Sequence, residues 1–275
     1  MLCKICHNPA FPAFNTLILD RFDETLYKCP HCGFLSVDNA HWLNLAYEKA
    51  INESDTGIVS RNLYLYKIVT CMATLIFGFG KKAMGGGYNE NNEYTLIDFG
   101  GGTGLLVRLL RDVGIESLWS DEYCENLFAR GFEYNERKKY NLALGTSFEV
   151  FEHLPNPKES IDAMLRICPN LLFSTKLLPL DIPIFSGKNK WWYYGFEHGQ
   201  HISFYTQKSL EIIAKSHNLY FVSYGNIHCM SEQKINPFLF AWIIRLSHKG
   251  LFSLAKRKLK SKTINDSQIL SGERL

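Results

Sequence analysis

The chain has 275 residues, 46% hydrophobic and 14% aromatic, enough to bury a full core and carry one ordinary domain with appendages. Its formal charge of +3 conceals an asymmetry: from Arg245 onward eight Lys or Arg stand against two acids, while residues 1 to 244 hold 22 basic and 25 acidic residues. A mildly acidic body argues against a core built as a basic stripe for a nucleic-acid backbone, and nucleic acid is not an expected partner.

Met1 is followed almost at once by CKICHN, so no secretory signal can be laid out and a cytoplasmic location is expected. Two CxxC pairs, Cys3 with Cys6 and Cys29 with Cys32, are separated by 22 residues. Each pair can place two thiolates on one turn, and two such turns close a tetrahedral zinc site. Two disulfides are the alternative. The lack of an export signal, with Cys71, Cys124, Cys168 and Cys229 scattered like ordinary buried thiols, favours zinc. Four protein ligands leave no open position, so this zinc should hold a fold: residues 1–40 are expected to be a zinc-binding module too small to build a core alone.

Residues 41–93 read as a helical cap and linker. Trp42, Leu45 and Ala46, then Leu65, Ile68, Met72, Leu75, Ile76 and Phe79, fall at three- and four-residue spacing and mark core faces. The apolar run Leu63 to Phe79 holds Lys67 and only 17 residues, which suits a buried helix better than a membrane span. MGGGYNENNEY, 84 to 94, reads as a flexible linker.

The stretch TLIDFGGGTG, Thr95 to Gly104, predicts a strand that ends in an acid and opens through a glycine turn into a helix running to Gly114. Glycine at 100, 102 and 104 permits positive φ and close approach of backbone to a ligand, while the Asp98 carboxylate can accept hydrogen bonds from a ligand amine or hydroxyl. The string is DxGxGxG rather than the GxGxxG of dinucleotide folds. It resembles the first motif of class I S-adenosylmethionine-dependent methyltransferases. That resemblance implies cofactor binding by Asp98, Gly100, Gly102 and Gly104, and by Asp121, which closes the next apolar stretch 23 residues after Asp98, where ribose hydroxyls would be held. Tyr47 or Tyr64 could reach such a site, although packing is the plainer role for either.

Further strands are expected at 116–120, 140–145 and 170–175, helices near 123–130, 157–167 and 206–217, and an edge strand in LYFVSYG. Strands interleaved with helices imply an α/β fold, a doubly wound and mostly parallel sheet of Rossmann-like type, over residues 94–230. Ligands in such sheets sit beyond the carboxyl ends of the strands. The interval from Asp121 to Tyr140 is short for a helix and a full third strand, which leaves Glu133 as the candidate for an adenine-contacting acid.

In TSFEVFEHLPNP, residues 146 to 157, Glu149, Glu152 and His153 stand at i, i+3 and i+4, one face of a helical turn. Such a set can bind a divalent cation, hold a substrate hydroxyl or cap the helix that follows. The string resembles the EVxEHxxxP of methyltransferases that act on small polyols, quinone precursors and sugars. The long segment 177–210 holds His198, His201 and the aromatics Trp191, Trp192, Tyr193, Tyr194 and Phe196, which could form a lid, stack on a sugar or base, or pack a core. The HxSF form at His201 resembles a string of sugar and natural-product methyltransferases in which the histidine acts near the acceptor. In some relatives a Glu-x-x-Glu-His string, with or without a later histidine, binds magnesium; Glu149, Glu152, His153 and His201 match the fuller set.

Residues 231–275 predict a C-terminal helix and a basic tail, with KRKLKSK at 256 to 262. A basic amphipathic helix can lie on an anionic membrane, near lipid-linked substrates; a helix packed on the body with a solvated end is the alternative. The resemblance spans roughly residues 1 to 225. It implies methyl transfer from S-adenosylmethionine to a small-molecule acceptor, a sugar or nucleotide sugar of a polysaccharide or natural-product pathway, with His201 as base or as metal ligand beside Glu149, Glu152 and His153. Two rivals are an RNA methyltransferase whose zinc module touches RNA and a non-catalytic scaffold that keeps the fold. Acceptor atom and oligomeric state are not specified by the residues.

Overall fold

The computed structural model describes residues 1–47, 55–80 and 93–272, so the linker expected over 84–94 lies mostly outside the described residues. Along the chain it forms β1 (Phe11–Ile18), β2 (Phe22–Lys28), β3 (Leu35–Val37), α1 (Leu43–Ala46), α2 (Ile58–Leu75), β4 (Thr95–Phe99), α3 (Leu105–Val113), β5 (Glu116–Ser120), β6 (Leu142–Phe148), α4 (Pro157–Ile167), β7 (Leu171–Ser174), β8 (Ser203–Phe204), α5 (Gln207–Ser216), β9 (Tyr220–Tyr224), β10 (Ile227–Ser231), α6 (Pro237–Leu246), α7 (Phe252–Ala255) and α8 (Thr263–Ser271). The chain divides into two compact units: Met1–Ser54, Phe148–Arg166 and Phe173–Lys234 form the first, and Asp55–Ser147, Ile167–Leu172 and Ile235–Leu275 the second.

In the first unit β1, β2, β3 and β8 make a four-stranded sheet in that order. β1 and β2 form an antiparallel hairpin whose turn residues, Leu19 and Asp20, both have positive φ (54° and 52°). β3 pairs β8 antiparallel, Leu35 opposite Phe204 and Ser36 opposite Ser203. The sheet carries a core of Phe14, Ile18, Leu26, Leu35, Val37 and Trp42, joined by Tyr193, Tyr194, Phe196 and Phe204 from the aromatic segment. Of the five aromatics considered for stacking, Tyr193, Tyr194 and Phe196 are therefore core, and Trp192 is 69% exposed.

A six-stranded sheet runs in the order β5-β4-β6-β7-β10-β9. β4 is buried along its whole length and pairs parallel with both β5 and β6, which sets Asp98 opposite Thr146. β9 and β10 form an antiparallel hairpin that places β9 at the edge, as expected for LYFVSYG. α3 starts at Leu105 and stops at Gly114, whose φ of 102° is the left-handed conformation glycine supplies. In α2, Leu65, Ile68 and Met72 are buried as predicted, whereas Leu75 is exposed.

The helix expected near 123–130 does not form. Asp121 accepts the backbone N–H groups of Tyr123 and Cys124, and Asn126 accepts that of Ala129, so short polar side chains claim the donors a helix would use. The third strand is reduced to one parallel bridge between Trp119 and Glu133.

The tail also departs from a solvated end. Asp266, on α8, is buried and accepts from Arg111 Nε (2.8 Å), Arg111 Nη2 (2.7 Å) and Arg108 Nη2 (2.8 Å). Burial works to raise the Asp266 carboxyl, but the two arginines outweigh it and hold it below its ordinary value. A Cβ on Gly114 would meet the Lys260 carbonyl oxygen at 2.3 Å, so the tail runs directly over the end of α3.

Candidate functional site

Among the described residues three clusters of chemistry-bearing groups stand out, one in the second unit and two in the first. In the second unit the glycine turn leaves β4 with Gly100, Gly102 and Gly104 at φ 66°, 53° and 82°. The glycines serve different ends. At Gly104 a Cβ would meet Asn126 Oδ1 at 2.6 Å and the Ala129 Cβ at 3.0 Å, a packing requirement. At Gly102 it would meet nothing within 4 Å, so the backbone there is open to an incoming ligand. Asp98 is buried, and its Oδ1 accepts the Thr146 hydroxyl at 2.6 Å. Burial, opposed by that bond and reinforced by the charge of Asp121, raises its carboxyl to about 7.

Asp121 accepts the Gly102 N–H at 2.8 Å through one oxygen and the Tyr123 and Cys124 N–H groups, each at 2.8 Å, through the other. Trp119 Nε1 donates to the Gly102 carbonyl at 2.8 Å, so turn and acid are fixed to each other before any ligand arrives. Glu133 accepts from Asn126 at 2.7 Å and from the Gly131 N–H. The sequence signals Thr146 weakly, as one of two adjacent hydroxyls, with Ser147, in the strand LALGTSF.

The first unit contains a tight 3-10 turn, Phe151–His153. The single face expected for Glu149, Glu152 and His153 is not made. Glu149 has φ 56° and turns away to Ser174, whose hydroxyl it accepts at 2.5 Å while its own N–H donates to the same oxygen at 2.9 Å. Glu152, His153 and His201 are brought together instead, with one donor atom from each within 4.8 Å of the others. Both Glu152 carboxylate oxygens and His153 Nδ1 are buried without a hydrogen bond. An unpaired buried carboxylate is costly and calls for a ligand or a proton. Burial and the neighbouring Glu149 charge raise Glu152 to about 8, against the Tyr193 and Thr175 hydroxyls beside it.

Burial, with His201 nearby, lowers His153 to about 3, and burial likewise lowers His201. His201 Nδ1 lies 2.6 Å from the Tyr193 carbonyl, which can only accept; the proton therefore sits on Nδ1 and Nε2 keeps a lone pair. The turn is held from the β8 side by the Ile202 N–H on the Glu152 carbonyl, the Ser203 hydroxyl on the Leu154 carbonyl and the Tyr205 hydroxyl on the Phe151 carbonyl. Tyr47 has its ring 6.3 Å from that of His153, and Tyr64 stacks on His248.

The same unit holds Cys3, Cys6, Cys29 and Cys32, all free, with their sulfurs within 4.8 Å of one another. Cys3 and Cys32 are 3.5 Å apart, as are Cys6 and Cys29, close to the ~3.8 Å edge of a tetrahedron with zinc–sulfur bonds of ~2.3 Å. The bond with Cys32 draws the Cys3 thiol down to about 5 while the same contact pushes Cys32 well up. Four thiols so placed are compatible with zinc. The knuckle is tied to the chain beyond β8, because the Thr206 hydroxyl that caps α5 also donates to the Cys32 carbonyl at 2.5 Å.

Residues 72–224 match the family model described as "Methyltransferase domain". No curated protein matches the chain. Among solved structures, it is similar to the mitomycin 7-O-methyltransferase MmcR at 12% identity, with 69% of this chain and 59% of that one covered and a TM-score of 0.36. It is similar to TnmH at 13% identity, covering 69% and 60%, with a TM-score of 0.37. An O-methyltransferase family 2 protein from Planctomyces limnophilus DSM 3776, in complex with apigenin, is similar at 14% identity, covering 70% and 65%, with a TM-score of 0.37. The chain thus spans less than two thirds of the length of each.

Proposed function

The chain belongs to the methyltransferase-domain family, and from that premise we propose that it transfers the methyl group of S-adenosylmethionine to a hydroxyl of a small polar acceptor, a sugar or nucleotide sugar. The observation that carries the reading is the cluster of buried Glu152 with half-buried His153 and His201, in which both Glu152 carboxylate oxygens and His153 Nδ1 are buried without a hydrogen bond. When bound, S-adenosylmethionine supplies an electrophilic methyl on a sulfonium. The residues fit it: Gly102 presents open backbone, and Asp98 and Asp121 supply carboxylate at the end of β4 and beside the turn.

The protein's own contribution is orientation and proton handling. Methyl transfer needs in-line placement of acceptor oxygen and methyl, so most of the rate comes from holding the acceptor still. The acceptor hydroxyl has to lose its proton, and His201 Nε2 would take it, because Nδ1 is fixed as a donor to the Tyr193 carbonyl; the sulfonium would leave as its neutral demethylated thioether. Glu152, with both oxygens unpaired, orients an acceptor hydroxyl. Trp192 leaves an exposed aromatic face for a sugar ring.

Glu152, His153 and His201 could instead hold a divalent cation. One carboxylate with two imidazoles suits a transition ion, and fits magnesium poorly, since magnesium favours oxygen shells and Glu149 is engaged by Ser174. Cys3, Cys6, Cys29 and Cys32 would hold a structural zinc, and free thiols of this kind suit a cytoplasmic, reducing compartment.

The test is calorimetric titration of S-adenosylmethionine and its demethylated product into the full chain, with and without divalent cation, beside Asp98→Ala. Micromolar binding lost in the variant supports the reading. Absence of binding under every condition overturns it and restores the scaffold alternative. An acceptor found by screening nucleotide sugars should be turned over by wild type, while His201→Ala loses turnover and keeps cofactor binding.

A further inference from the structure

We propose that the outer side of α6 and the basic segment after it form a docking surface for an anionic lipid membrane, on which the helix lies flat. α6 already has a buried side, Phe240, Ile243 and Ile244, and it packs on α2. Its opposite side is apolar too. Phe238 is 86% exposed, Trp242 is 52% exposed and Leu239 is exposed beside them. Positions 238, 242 and 245 share one stripe of α6 at helical spacing, so two aromatics are followed by Arg245, and the exposed Lys249 comes just past the helix end. Aromatic rings beside long cationic side chains, whose stems lie along apolar surface while their heads stay in water, make the pattern of an interfacial helix. A cluster of large exposed apolar groups on one helix marks an interaction site.

Charge complementarity selects the occupant. Seven Lys or Arg lie between Arg245 and Lys262. Asp266 follows them, and it is buried against Arg111 and Arg108 rather than offered to solvent. Lys262 is engaged by Glu93 and Glu116, while Lys249, Lys256, Arg257, Lys258 and Lys260 are exposed. The fold has thus used the nearby acid internally and left cations outside. A second copy of the chain would bring the same cations and be repelled; an anionic lipid surface would be attracted.

The segment Pro237–Lys258, 22 residues, is long and apolar enough to cross a membrane by length and composition, its most apolar stretch having a mean hydropathy of 1.2. The structure uses it differently: a third of its most apolar stretch is buried in the protein. Its backbone also leaves the helix at Lys249 (φ −116°, ψ 36°) and Gly250 (φ 100°, ψ −20°).

The experiment is co-sedimentation of the full chain with phosphatidylcholine vesicles, with and without phosphatidylglycerol, over a salt series. Binding only to the anionic vesicles, weakened by salt, is expected. A triple Lys256→Gln, Arg257→Gln, Lys258→Gln variant should bind more weakly by roughly fivefold per charge removed. A double Phe238→Ser, Trp242→Ser variant should lose binding with its melting temperature unchanged. Should either variant fold poorly, quenching of wild-type tryptophan by brominated lipid, and its reduction in Trp242→Phe, gives an independent readout. Failure to sediment, equal and salt-insensitive binding to neutral vesicles, or a dimer in solution that Phe238→Ser disrupts would each overturn the proposal.

Discussion

Replacing Asp266 with alanine tests the latch that holds the C-terminal helix. Arg111 and Asp266 are each 2% exposed at the side chain, and Asp266 accepts three hydrogen bonds from Arg111 and Arg108. Removing one partner of a buried pair costs about 3–5 kcal/mol when the other charge is stranded. Arg111 would keep Glu116, the Ser117 carbonyl and the face of the Phe132 ring, 3.6 Å from its guanidinium carbon. The expected loss is therefore at the lower end, roughly 2–4 kcal/mol, or on the order of 5–10 °C in melting temperature for a chain of this size. Urea denaturation measures it, with limited proteolysis reporting whether α8 has been released. A paired Arg111→Met, Asp266→Leu variant, which strands no charge, should recover most of the stability. A loss below about 1 kcal/mol in Asp266→Ala, with α8 as protease-resistant as in wild type, would refute the reasoning. The sign with pH also follows. The folded carboxyl lies below its ordinary value, so its contribution is complete above that ordinary value and is lost as pH falls through the lowered folded one.

Gly102→Ala, at φ 53° with open space around it, should cost about 1 kcal/mol of stability and weaken cofactor binding strongly, whereas Gly104→Ala, against Asn126 and Ala129, should cost roughly 1–3 kcal/mol and lower the melting temperature; calorimetry beside thermal melts separates the two. Because burial raises Asp98 to about 7 from 3.8, the stability it supports is complete below 3.8 and is lost as pH rises through about 7. Affinity for a cationic cofactor should move the opposite way, rising through about pH 7, and Asp98→Asn should flatten both profiles in denaturation and titration series. Zinc measured by mass spectrometry should approach one per chain, and Cys29→Ser or a strong chelator should expose hydrophobic surface from the first unit, read by dye binding.

What could be read from the sequence was local. The strand, glycine turn and helix from Thr95 to Gly114 announce themselves because the apolar run, the glycines and the helix stop are contiguous. The clustering of Glu152 with His153 followed from adjacency, and His201 was reached through resemblance. Glu149 was misplaced because nothing in its neighbours signals a left-handed residue that breaks the turn. The hairpin β1–β2 was hidden for a similar reason: its turn uses Leu19 and Asp20 rather than the Asn-Gly or Asp-Gly pair that marks such turns. β10 is buried at every position and so lacks the alternation that reveals a strand. The pairing of Arg111 with Asp266 joins residues 155 apart, and no local pattern carries it.

The two residues of β8 bear on how this protein could be taken apart. Ser203 and Phe204 hydrogen-bond to β3, just past the second cysteine knuckle, while their neighbours Ile202 and Tyr205 grip the turn that carries Glu152 and His153. Excising residues 1–40 as a cassette would strip β8 of its partner strand and remove Phe14, Ile18, Leu26, Leu35 and Val37 from a core they share with Tyr193 and Tyr194. A chimera that borrows a cysteine knuckle from another protein must therefore import residues 201–206 along with it. In the vocabulary of a protein engineer, the N-terminal segment is a fixed part of the frame and not an interchangeable attachment.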